Sequence, residues 1–288
     1  MTVRIIIGFL AVFAAPFIGG ILSGLDRMIG ARMQRRQGPP LLQPFYDFYK
    51  LTKKRANIMN GLQIFLVIGH LMFVALSIWI VYTGEDLLLA VFSLTLAEML
   101  FCLVAFSASA PYSNMSAQRE LLQMACAEPM LLLMAIGFYM ANGSFKVMDI
   151  LHSSSPAILK TPGMFAGFLV ILVIELRKSP FDVSTSHHAH QEMVKGITTD
   201  IAGSVMAYVE VAEWCELFLM ATFTGMFFIC SNPLSFLAAA AAAALVLFLM
   251  TLVDNTFPRV RWERMLWMSW GSTFIFAGVN LLILTLTR

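Results

Sequence analysis

Charge is scarce in this sequence. Of 288 residues only 12% are Asp, Glu, Lys or Arg, against 59% hydrophobic, and that balance excludes an ordinary soluble domain. Cysteine is scarce as well. Cys102, Cys126, Cys215 and Cys230 all fall within apolar runs, with no CxxC pair and no spacing suited to an iron–sulfur cluster. A Gly-rich phosphate loop, a GxSxG elbow and an HExxH helix are all missing, which removes common nucleotide-binding, hydrolase and zinc-protease signatures.

What the sequence has instead is apolar length. Crossing roughly 30 Å of hydrocarbon takes about 20 helical residues, and eight runs of that kind are expected, near 5–25, 61–82, 87–109, 121–141, 163–181, 203–230, 234–253 and 266–286. The apolar part of the fifth ends at Leu176, so that run either starts earlier, near Ile158, or lets Arg177 and Lys178 snorkel to the headgroups. The runs are continuous rather than alternating, so each segment satisfies its own backbone as a helix and a barrel is excluded. The expected fold is an all-α integral membrane bundle of about eight transmembrane helices, forming a single domain over residues 1–288. Pro16 and the lack of a small-residue cleavage site mark the first run as a retained helix rather than a signal peptide.

Positive charge sets the expected orientation, because Lys and Arg in short loops are held on the cytoplasmic side. The loops after runs one, three, five and seven carry Arg27, Arg32, Arg35, Arg36, Lys50, Lys53, Lys54, Arg55, Arg119, Arg177, Lys178, Lys195, Arg259, Arg261 and Arg264, which is 15 of the 19 basic residues. Both termini are therefore expected on the outer side, with four long loops on the cytoplasmic face of the cell membrane. The first of these loops contains RRQGPPLLQPFYDFYKL at 35–51. Leu41, Phe45 and Phe48 fall at i, i+4 and i+7 and give an apolar face, while Asp47, Lys50, Lys53 and Lys54 stay wet, as in a helix lying at the interface.

Six acids sit at expected membrane depth: Glu98, Glu128, Glu175, Glu210, Glu213 and Glu216. A charged carboxylate at the bilayer centre costs about 2.5 kcal/mol or more, so such groups face the bundle interior, pair with a partner, or keep a proton. Glu210, Glu213 and Glu216 recur every three residues and share one helix face. A carboxyl that can take up and release a proton suits a relay, and hydroxyls or amides would hold helices together without any charge to desolvate.

These residues resemble the H-type membrane subunit of respiratory complex I, the mitochondrially encoded subunit one family, and its relatives in membrane-bound [NiFe] hydrogenases. Four motifs carry the resemblance. The first loop offers Arg36, Gly38, Pro39, Leu41, Leu42, Gln43, Pro44, Asp47, Lys50 and Leu51. SAQRELLQMACAEP supplies Arg119, Gln123 and Glu128, with Ala127 where a tyrosine is common. IELRKSPFD supplies Glu175, Pro180, Phe181 and Asp182, followed by Glu192, Gly196 and, in the sixth run, Glu213. TFPRVR at 256–261 is the fourth.

The resemblance implies a non-redox coupling subunit whose relay runs through the six glutamates. It also implies that Arg35, Arg36, Gln43, Asp47, Lys50, Arg119, Asp182, Glu192, Arg259 and Arg261 hold a hydrophilic arm. Two departures point to the energy-converting Ech-type [NiFe] hydrogenases: the short RRQGPPLLQP loop, and SHHAHQEMVKGITTD, with about three extra residues and histidines where complex I carries acids. That assignment implies [NiFe] hydrogenase large and small subunits, a ferredoxin-like subunit and an antiporter-like membrane subunit as partners. The [NiFe] centre and iron–sulfur clusters then belong to those partners, this chain has no cofactor of its own, and no nucleic acid is involved. The alternatives are the quinone-site subunit of an NADH:quinone oxidoreductase and, less favoured, an independent transporter, for which no inverted repeat is visible. His187, His188 and His190, with Asp182 and Glu192 nearby, have the look of a metal site, but imidazoles in a docking loop serve as hydrogen-bonding groups without one.

Overall fold

The structure, a computed structural model, describes residues 2–55, 61–108, 110–181, 194–258 and 260–286. Ten helices organise them: α1 Thr2–Met33, α2 Gln43–Lys53, α3 Gly61–Thr83, α4 Leu87–Phe106, α5 Pro111–Asn142, the short α6 Val147–Leu151, α7 Pro162–Glu175, α8 Ser204–Met226, α9 Leu234–Thr256 and α10 Trp262–Leu286, which is π-helical over Thr273–Gly278. The chain is an all-α membrane protein. Six helices, α1, α3, α4, α5, α9 and α10, are long and apolar enough to cross a membrane by themselves. The other two expected runs correspond to α7, with 14 residues, and α8, with 23 residues and three glutamates.

Among the boundaries that differ from the sequence expectation, two have a clear physical reason. The run expected at 121–141 is the second part of α5, which begins ten residues earlier at Pro111. Its first turns, PYSNMSAQRE, are polar, so hydropathy alone does not register them as helix. The fifth run does not extend to 181. α7 stops at Glu175, and the chain turns through Arg177 at φ 49°. The backbone N–H of Lys178 bonds to Val173 O, closing a helix end of the kind that normally carries glycine at the left-handed position.

At 1.5 Å per residue α7 is about 21 Å long, short of the roughly 30 Å hydrocarbon thickness. Its N-terminal end is satisfied from α10: Asn280 Oδ1 accepts from the Met164 N–H at 3.2 Å, and its Nδ2 donates to Lys160 O at 3.1 Å. α1 carries a buried face of small residues, including Gly8, Ala11, Ala15, Gly19 and Gly24. A Cβ on Gly19 would lie 2.0 Å from Trp214 O, and one on Gly24 2.1 Å from Leu41 O. The absence of side chains therefore lets α1 touch the backbones of α8 and of the segment leading into α2.

α2 lies against the bundle as the amphipathic pattern predicts. Phe45 and Phe48 pack on Trp214, with centroids at 5.2 and 6.0 Å, while Lys50 and Lys53 are exposed. Helix α2 is tied to α1 by Arg27 to Asp47 at 3.2 Å. Thus α1, α2, α7, α8 and α9 meet at one end of the bundle, the end that carries the basic loops.

Candidate functional site

A cavity of about 640 Å³ opens at that end. α1 contributes Leu22, Leu25, Asp26 and Ile29 to it, α9 contributes Ala244, Leu247, Phe248 and Thr251, and α8 contributes Glu210, Glu213, Trp214, Glu216, Leu217 and Met220; Glu175, Arg177 and Lys178 close its inner side. One part of the lining is aliphatic and the other is carboxyl-rich. A polar frame holds the elements in place. Asp26 takes Lys178 and also accepts from Thr251 Oγ1 at 2.6 Å. Asp254 accepts from the Ser179 N–H at 2.9 Å.

Behind Arg177 lies a second pocket of about 20 Å³, room for a water molecule. It is lined by Glu98, Glu120, Gln123, Met124, Ile174, Glu175, Arg177 and Glu216. Glu175, Arg177 and Glu216 border both spaces and so form the wall between them. Arg177 Nη2 donates to Glu120 Oε1 at 2.6 Å and its Nη1 to Glu213 Oε1 at 3.4 Å, with the guanidinium 5.2 Å from the Phe101 ring centroid. Glu98 and Glu175 face the same small space from α4 and from the end of α7.

Five carboxyls, those of Glu98, Glu120, Glu175, Glu213 and Glu216, thus surround one guanidinium. One cation cannot balance five carboxylates in a buried setting. Carboxyl groups lining one space that has room for water are able to hold and exchange protons.

The sequence-expected residues are distributed unevenly over this arrangement. Glu98, Glu175 and Glu216 meet at the inner pocket, and Glu210 and Glu213 line the large cavity together with Glu175 and Glu216. Glu128 is half-buried on α5 and lines neither space. Arg177 does not snorkel outward but turns inward onto Glu120.

Sequence reasoning passed over Glu120, because the fourth run was taken to start at Leu121. It also passed over His70. The signal for Glu120 was present: Glu120, Gln123 and Ala127 recur at i, i+3 and i+7, and all three are buried.

Of the expected docking residues, Arg35, Arg36, Lys50 and Arg261 are exposed. Gln43 Nε2 donates to Asp47 Oδ1 at 2.9 Å, so Asp47 is engaged within the chain by both Gln43 and Arg27. The Arg119 guanidinium lies 4.8 Å from the Trp262 ring centroid. Asp182, Glu192, Arg259 and the cluster of His187, His188 and His190 lie outside the described residues.

Comparison with known proteins fits this architecture. The family described as NADH dehydrogenase matches residues 5–285, nearly the whole chain. The chain belongs to that family. It is a multi-pass membrane protein of the subunit 1/H type found in oxidoreductase complexes. It is 26% identical over 298 residues to NADH-ubiquinone oxidoreductase chain 1 of Mycosarcoma maydis, covering 91% of this chain and 89% of that one. It is 27% identical over 305 residues to formate hydrogenlyase subunit 4 of Escherichia coli (strain K12), covering 92% and 94%. The fold also matches a chain of the membrane-bound sulfane sulfur reductase, an archaeal respiratory membrane complex, with a TM-score of 0.83, 24% identity and coverage of 98% and 99%. Membership of this family makes the chain a membrane subunit of an energy-converting complex of the complex I and hydrogenase type.

Proposed function

We propose that this chain is the coupling subunit of an energy-converting [NiFe] hydrogenase, linking ferredoxin and hydrogen chemistry in a hydrophilic arm to movement of H⁺ or Na⁺ across the membrane. The observation that carries the reading is the carboxyl cluster around Arg177, which joins α4, α5, α7 and α8 and lies behind a cavity bordered by the basic loops. The residues in hand hold and pass protons, and in this reading electrons stay in partner subunits with the [NiFe] and iron–sulfur centres. Support for the hydrogenase branch comes from the short first loop and the histidine-bearing third loop.

One observation favours a second reading. The cavity is large, partly aliphatic and partly polar, a combination that suits a quinone head and tail, as a quinone reductase requires. Co-purification separates the two: a hydrogenase large subunit on one side, a flavin-bearing NADH module on the other.

The coupling role is tested with Glu213→Gln, which keeps size and hydrogen bonding but removes the exchangeable proton. The expected complex assembles and transfers electrons when its membrane is leaky, yet builds little ion gradient in sealed vesicles. An unchanged gradient at unchanged turnover, in this variant and again in Glu175→Gln, would exclude the relay.

A further inference from the structure

His70, on α3, is 2% exposed and stacks on Phe101 with ring centroids 5.0 Å apart and planes 24° from parallel. Its Nδ1 is 2.9 Å from the backbone carbonyl oxygen of Ala97, the residue before Glu98. A carbonyl oxygen only accepts, so Nδ1 carries the hydrogen and the tautomer is fixed. The other nitrogen, Nε2, faces Glu216 Oε1 at 3.5 Å, and that buried oxygen has no other hydrogen-bond partner among the described residues. The separation is at the outer limit of a hydrogen bond, a common condition for proton-transfer partners in a resting site.

With Nδ1 committed, the two facing atoms are both acceptors unless a further proton lies between them. We propose that His70 and Glu216 form a dyad that holds one transferable proton, at the point where the glutamate cluster meets α3. A neutral pair costs less to bury than an ion pair, so at rest the proton sits on Glu216 and is donated to Nε2. Transfer moves it from Glu216 Oε1 to His70 Nε2 and leaves a carboxylate beside an imidazolium. No bond other than O–H and N–H changes and no electron moves.

The groups around the pair come from four directions. They are Glu98 on α4, Glu120 on α5, Glu175 and Arg177 at the end of α7, and Glu213 on the same helix as Glu216. Arg177 and His70 both lie against the Phe101 ring. A shift of the guanidinium between Glu120 and Glu213 therefore changes the charge felt by the dyad, which gives the outer cavity a means of influencing where this proton resides. The inference rests on the proton-relay reading for its use, but the shared proton is testable by itself.

The experiment uses the whole complex. Infrared spectra of the purified wild type are compared with Glu216→Gln, which identifies the carbonyl stretch of the protonated Glu216 carboxyl as the band that disappears. In His70→Gln an amide takes the place of Nε2, able to hydrogen-bond to Glu216 but not to receive its proton. The expected result is a Glu216 band that shifts in frequency in His70→Gln, with ion gradient per electron in sealed vesicles lowered about tenfold or more, as for loss of a proton-transfer group.

A Glu216 band that is absent from the wild type, or unmoved in His70→Gln, overturns the dyad. A shifted band with full coupling overturns its use in proton storage and leaves His70 as a support for Glu216. If His70→Gln does not assemble, the wild-type and Glu216→Gln spectra, recorded in H₂O and D₂O, still decide whether the protonated carboxyl exists. Failure of the relay reading itself is seen separately, in an intact gradient for Glu213→Gln.

Discussion

Arg177 and Glu120 are joined at 2.6 Å, and the arginine reaches that position from a left-handed backbone conformation that a side chain normally avoids. The conformation costs about 1–2 kcal/mol, and glycine would relieve it. The guanidinium is what glycine cannot supply: its contacts with Glu120, Glu213 and the Phe101 ring bind the end of α7 to α5, α8 and α4. Removing Arg177 alone strands the Glu120 carboxyl, which is 5% exposed and has a second oxygen, Oε2, already buried with no hydrogen-bond partner among the described residues. Arg177→Met is expected to lower stability by about 3–5 kcal/mol. The double variant Arg177→Met, Glu120→Leu recovers a substantial part of that loss. Thermal unfolding of the purified complex checks this, and additive losses would show that the two side chains do not depend on each other.

Much of this arrangement could be read from the sequence and some could not. Glu210, Glu213 and Glu216 were visible as one stripe because their spacing fits a helix face, and they do line one cavity. Phe45 and Phe48 were visible for the same reason. Arg177 looked like a loop charge, because hydropathy does not reveal that α7 ends inside the bundle and turns the next side chain inward. Glu120 was hidden by a polar helix start that resembles a loop in composition. His70 was hidden because one histidine in an apolar run has no periodic partner; its meaning comes from α4 and α8, which are distant in sequence.

The close approach of α1 to α8 yields a second expectation. A Cβ at Gly19 meets the Trp214 carbonyl at 2.0 Å, and backbone cannot swing aside as a side chain can. Gly19→Ala should therefore force the helices apart and cost about 1–3 kcal/mol. Gly271→Ala is the control, since nothing lies within 4 Å of a Cβ placed there. Equal melting temperatures for the two variants would contradict the packing argument.

Filling the large cavity separates the two functional readings. Ala244 lines it from α9, and Ala244→Trp places an indole where a quinone tail would have to lie. In the hydrogenase reading, reduced ferredoxin still drives hydrogen evolution at close to the wild-type rate, since no mobile carrier enters. In the quinone reading the turnover of the complex falls sharply, because a specific pocket has been blocked. Steady-state rates of the purified complex decide the matter.

Docking of the hydrophilic arm is tested at the exposed end of the first loop. Arg36 is exposed and sits just beyond α1, next to Arg35, whose φ of 57° closes that helix. Arg36→Glu reverses a charge without disturbing a buried contact, so its effect reports the partner. The arm subunits are expected to co-purify less well with the variant at low ionic strength, and salt should narrow the difference from wild type because exposed charges are screened. Equal recovery of the arm at every salt concentration would remove Arg36 from the interface.

Asn280 offers the most local test of how the site is held. α7 is too short to bring both ends to the headgroups, and its first backbone N–H groups need partners within the protein. Asn280 supplies one by accepting from Met164 N–H, and its amide hydrogens serve the carbonyl of Lys160. The same helix carries Glu175 at its other end, so loosening at the N-terminus reaches the carboxyl cluster as a displacement along the helix axis. Asn280→Leu preserves volume and removes both hydrogen bonds; the expected cost is about 1–2 kcal/mol, the scale of a lost helix cap. Asn280→Asp restores the acceptor but not the donor and should recover part of the stability. Melting temperature reads the cap, and the ion gradient per electron reads the position of Glu175. A Leu variant with an unchanged melting temperature would mean that α7 is held by its packing alone. A lowered melting temperature with full coupling would mean that the cluster is fixed by Arg177 and Glu120 at the other end.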